Sequence, residues 1–80
     1  RDQITTLRAE LRKCEDRLAK IEAMRDKLAT KLADPALYEE DRVGELEVWN
    51  RKYAEVMDGL RKAEALWEKA AEKLEAAEDA

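Results

Sequence analysis

Histidine is absent from this sequence, and with it the usual general base near neutral pH and the commonest neutral metal ligand. Cysteine occurs once, at Cys14, so no internal disulfide can staple the fold and a reducing, cytoplasmic setting is the default expectation. No Gly-rich phosphate loop, nucleophile elbow or zinc-ligand spacing is present. Catalytic, cofactor-binding and metal-binding residues are therefore not expected in this segment. Phenylalanine is missing too, and two glycines and one proline leave little material for tight turns. No apolar run approaches the roughly 20 residues of a membrane span, so no membrane partner is expected. The opening stretch, Arg1 to Leu11, resembles neither a signal peptide nor a transit peptide. A helical pattern is already running there, as expected of a segment cut from a longer chain.

What remains is alanine, leucine, glutamate, lysine and arginine, the strong helix formers. Charged residues make up 45% of the 80, a balance that fits long helices better than a compact globule. Apolar positions before the proline fall at Ile4, Leu7, Leu11, Cys14, Leu18, Ile21, Leu28 and Leu32. The steps alternate three and four, a heptad seam interrupted only by Arg25. After the proline the same rhythm runs from Leu46 through Trp49, Tyr53, Val56, Leu60, Ala63, Trp67, Ala70 and Leu74 to Ala77. Between the seams lies Lys31-Leu-Ala-Asp-Pro-Ala-Leu-Tyr-Glu-Glu-Asp41. Asp34 is suited to cap a new turn and Pro35 to begin one, while the residue before a proline disfavours helix. The expectation is an all-α, antiparallel two-helix coiled-coil hairpin with a short helical turn in the connecting loop. It forms a single domain over 1–80: a helix over about 2–33, a loop over 34–41 and a helix over about 42–78.

Pairing residues whose numbers sum to about 78 brings Leu32 to Leu46, Leu28 to Trp49, Leu18 to Leu60 and Leu11 to Trp67. It also puts Arg8 near Glu68, Glu15 near Arg61, Glu10 near Lys69, and Arg17 beside the like-charged Lys62. Arg25 falls opposite Tyr53, where it can stack on the ring or snorkel outward. Leu37 and Tyr38 are expected to fold over the seam end, and Trp49, Trp67 and Cys14 to be core. At 1.5 Å per residue the rod should be about 45–55 Å long.

The net charge of −4 argues against nucleic acid, but the charge distribution does not. In a hairpin, one flank of the seam collects Lys13, Arg17, Lys20, Lys27 and Lys31 from the first helix. Lys52, Lys62, Lys69 and Lys73 join them from the second, so every lysine in the chain is there. Glu10, Glu45 and Glu55 oppose them, and the other flank is mainly acidic. Those nine cations are the candidate nucleic-acid-binding residues, placed to follow a phosphate backbone without reading bases. Gly59 lies among them, where a missing side chain lets a strand approach closely. The same pattern also fits a solubilising helix face. With no aromatic interleaved on this flank, stacking of single-stranded bases is not expected.

Leu32-Ala-Asp-Pro-Ala-Leu-Tyr38, followed by a helix carrying Trp67 near its end, resembles the C-terminal coiled-coil domain of Uup-type ABC-F proteins, soluble bacterial ATPases with two ATP-binding cassettes. The resemblance implies a hairpin that assists nucleic-acid binding: duplex DNA for the Uup domain, structured or ribosomal RNA for ABC-F proteins at the ribosome. It implies a cytoplasmic parent ATPase using ATP and Mg, with neither group held in this segment. The ATPase cassettes of the same chain are a further partner, and the domain is expected to be monomeric. Two other functions compete. One is a structural or protein-interaction spacer, motivated by the off-seam Met24, Met57 and Leu66. The other is a tRNA-contacting arm.

Overall fold

The computed structural model describes residues 2–80 and is all-helical over them. Helix α1 spans Asp2–Leu32 and helix α2 spans Val43–Asp79. Two 3-10 turns, Pro35–Tyr38 and Glu40–Arg42, join them.

The turn forms because each backbone group released by α1 finds a local partner. The Ala33 N–H is shared between the carbonyls of Ala29 and Thr30, at 3.0 and 3.2 Å, and the Asp34 N–H reaches the Lys31 carbonyl at 3.2 Å. This tightening to three-residue spacing ends α1 without a glycine. Asp34 then turns extended (φ −72°, ψ 116°), and its Oδ1 accepts from the Ala36 N–H at 3.0 Å. Pro35 has no N–H to leave unsatisfied at that first position. The Tyr38 hydroxyl donates to the Leu32 carbonyl at 2.6 Å, satisfying an orphan acceptor at the end of α1. Tyr38 is thus a cap with its ring exposed, and does not fold over the seam as expected. Leu37 does: it is fully buried, and its turn packs on both helices.

The two long helices lie side by side along their length. At one end Lys31, in the last turn of α1, lies over Trp49, near the start of α2. At the other end Arg8 meets Glu78 at 3.0 Å. The chain therefore doubles back at the 3-10 turns. The seam is legible in the burial: Ile4, Leu7, Leu11, Cys14, Leu18, Ile21 and Leu28 are half-buried between exposed neighbours, and Leu32 is half-buried beside a half-buried Lys31. On α2, Leu60, Ala63 and Ala70 are buried and the other seam residues half-buried. Two helices can cover one another on a single stripe only, so Trp49 and Trp67 remain half-buried, short of the core positions expected.

Several pairings differ from expectation. Arg8 joins Glu78, not Glu68. Helical side chains lean toward their own N-terminus. Where helices run in opposite directions, a long side chain on each therefore meets a partner beyond the one level with its Cα. Arg61 goes to Asp58 at 3.2 Å within its own helix, leaving Glu15. Arg25 snorkels: its guanidinium reaches Asp26 at 3.1 Å, and among the described residues both cation–ring contacts belong to Trp49, none to Tyr53. The structure measures 60 Å along its long axis, longer than the expected rod, because the 37 residues of α2 alone rise about 55 Å.

Candidate nucleic-acid interface

Heptad spacing delivers the cations in pairs of columns. On α1, Lys13, Lys20 and Lys27 repeat every seven residues, with Arg17 and Lys31 in the column between them and the seam. On α2, Lys52 and Lys73 share a column with Gly59 and Leu66, and Lys62 and Lys69 share the next. The structure brings seven of the nine candidates into two grooves between the helices. Nearer the 3-10 turns, Lys27, Lys31 and Lys52 rim a groove of about 610 Å³ floored by Met24, Leu28, Trp49 and Val56. Farther from the turns, Lys13, Arg17, Lys69 and Lys73 rim a second groove over Cys14, Leu66 and Ala70. Lys20 extends this group along α1, clustering with Lys13 and Arg17. Both grooves open on the same flank, since each is lined by the same heptad columns of α1.

Lys62 is the exception. Its ammonium is held by Asp58 at 3.1 Å, one helical turn away. Asp58 also takes Arg61, and the Lys62 hydrogen bond foremost holds its carboxyl below the usual aspartate range. The expected Arg17–Lys62 repulsion is thereby offset. Asp58 was missing from the expected opposing acids, and so was Asp16, which lies against Lys13, Arg17 and Lys20. The i, i+4 spacing of Asp58 and Lys62 was the available signal.

Of the acids that were expected, Glu10 and Glu55 line the two grooves. Glu45 is drawn away. Arg42 grips both its carboxylate oxygens, at 2.9 and 2.8 Å. That hydrogen bond, with smaller contributions from Lys31 and the Trp49 indole, lowers the Glu45 pKa. The same bond raises the pKa of Arg42.

The residue that sequence reasoning missed is Trp49. Assigned to the seam as core, it forms part of the basic groove floor, with the Lys52 and Lys31 ammoniums 5.0 and 5.4 Å from its ring centroid. Such cation–π contacts are worth about 0.5–1 kcal/mol at exposed sites. Lys52 lies three residues along from Trp49, on the same helical face, which was a readable hint. Met24 and Leu66, which suggested a protein partner, also belong to the groove floors.

Gly59 has ordinary helical geometry, and a Cβ there would meet nothing within 4 Å. No fold requirement therefore explains it. Gly59→Ala is expected to raise unfolding free energy by about 0.5–1 kcal/mol in urea denaturation. If the glycine serves close approach of a strand, affinity for duplex DNA falls in the same variant; unchanged affinity removes that role.

Among the described residues, no helix is long and apolar enough to cross a membrane and no cluster of ligating side chains could hold a metal. Comparison with curated proteins and with solved structures gave no match. The family model described as "ABC transporter C-terminal domain" matches residues 5–72, which take in most of both helices and all of the turn between them. The chain belongs to the ABC transporter C-terminal domain family.

Proposed function

We propose that this antiparallel coiled-coil hairpin is a non-catalytic, nucleic-acid-binding accessory domain of a cytoplasmic, Uup-type ABC-F ATPase. It holds duplex DNA or structured, ribosomal RNA by its phosphates. The observation that carries this reading is the gathering of Lys13, Arg17, Lys27, Lys31, Lys52, Lys69 and Lys73 along one flank of a chain whose net charge is −4. A solubilising role requires no such segregation, whereas a line of ammoniums over about 40 Å of helix lets phosphates displace counterions one after another. Lys20 and Lys62 complete the surface: Lys20 directly, Lys62 after exchanging Asp58 for a phosphate. The domain acts as a monomer, and ATP and Mg belong to the cassettes of the parent chain. The test is titration of labelled duplex DNA and of structured RNA at two salt concentrations; binding that weakens steeply with salt is expected.

A protein-interaction spacer is the second reading. It is favoured by Tyr38, Val43 and Val48, large side chains left exposed at or near the turn end of the rod. A protein partner recovered without any nucleic-acid binding at low salt would select it.

A further inference from the structure

We propose that the groove over Trp49 is a docking site for an unpaired nucleotide, whose base stacks on the indole while its flanking phosphates take Lys27, Lys31 and Lys52. The proposal rests on the nucleic-acid reading above and adds what that reading lacks, a contact with a base. Phosphate contacts alone do not call for an aromatic floor. Yet the basic flank is open at Trp49, a half-buried ring flanked by Met24, which is 52% exposed. An aromatic plate beside a positive rim is the arrangement that holds single strands, because every base has a π-face and carries its charge next to it.

Three features of the groove fit this occupant. The rim ammoniums come from both helices, so phosphates on either side of one base can each find a cation. Two of those ammoniums rest over the ring itself, Lys52 at 5.0 Å and Lys31 at 5.4 Å. They are long, flexible side chains that phosphates can draw off, exposing the face a base would cover. Glu45, one helical turn before Trp49, is also engaged elsewhere: Arg42 grips both its carboxylate oxygens, at 2.9 and 2.8 Å. The second groove has the cations but an aliphatic floor of Cys14, Leu66 and Ala70, so it offers phosphate contacts only. The flank thus divides into a stacking end near the turns and a backbone-tracking end farther from them.

The experiment is a fluorescence and affinity titration of the Trp67→Phe chain, in which Trp49 is the sole tryptophan. The probes are a blunt DNA duplex and the same duplex bearing a four-nucleotide single-stranded overhang. The overhang is expected to bind at least about fivefold more tightly, the low end for one base on an aromatic ring, and to quench Trp49 emission. The blunt duplex binds without quenching. Trp49→Leu in the otherwise native chain should erase the preference for the overhang. Met24→Glu, at an exposed position that does not hold the seam, should also erase it, so a folding defect in Trp49→Leu does not decide the matter. Equal affinity for both probes with unchanged Trp49 emission overturns the stacking site and leaves the phosphate-binding reading standing. Failure to bind either probe overturns both. Quenching by an acidic amphipathic peptide, with none by the overhang, assigns the groove to a protein and overturns the proposal.

Discussion

Changing Lys13, Lys27, Lys52 and Lys69 together to glutamate is expected to abolish binding to duplex DNA and to structured RNA. The four come from both helices and both grooves. Each phosphate contact contributes about 0.9 to the slope of log affinity against log salt for B-form DNA. Losing four should therefore flatten that slope by roughly 3.6, and the new carboxylates repel the phosphates that remain. The fold should survive, since all four side chains are exposed and none forms an ion pair or hydrogen bond shown in the structure. Helical circular dichroism checks this. The control is the same number of reversals at Arg8, Arg12, Arg51 and Arg61, which lie off the lysine flank. It changes net charge equally and is expected to weaken binding far less. If both variants lose affinity alike, only net charge matters, and the segregation of lysines has no binding role.

The largest effect on stability is expected at the turn. Leu37 has no exposed surface, unlike any other large side chain among the described residues. It packs where α1, the first 3-10 turn and α2 meet. A seam between only two helices leaves most of its residues half-buried, so this one side chain carries an unusual share of the apolar burial. Leu37→Ala should cost about 2–5 kcal/mol by lost transfer energy and cavity formation. For a domain of this size each kcal/mol lowers the melting temperature by about 4–8 °C, so thermal unfolding should drop by about 8–40 °C. Leu66→Ala, at a residue that is 49% exposed, should fall within about 0.5 kcal/mol of the native chain. Comparable shifts in the two variants would mean that Leu37 does not lock the turn.

How much of this was legible beforehand depends on what kind of information each feature carries. The seam was readable because helical burial repeats in sequence: every position from Ile4 to Leu32 and from Leu46 to Ala77 assigned inward is buried or half-buried, and most of the residues between them are exposed. The turn was readable because Asp34 and Pro35 act on backbone groups within two residues of themselves. Features that depend on side-chain reach were not. Glu78 replaced Glu68 as the partner of Arg8 because the lean of helical side chains shifts cross-helix pairs beyond their Cα register. Arg25 and Arg61 found acids one and three residues away, ahead of any partner across the seam. Lys62 and Asp58 illustrate the same preference for local partners, which heptad placement ignores. Trp49 was half legible: its seam position was right, but its bulk exceeds what two helices can cover. That leftover surface turns a row of cations into a groove with a floor.

The most direct test of the proposed binding flank is the salt dependence of wild-type binding to a blunt duplex, measured from about 50 to 200 mM monovalent salt. Phosphate capture by the two grooves should yield a log–log slope of about −4 or steeper, corresponding to at least four or five of the flank's cations in contact. No binding at the lowest salt, or an affinity that salt leaves unchanged, would contradict it.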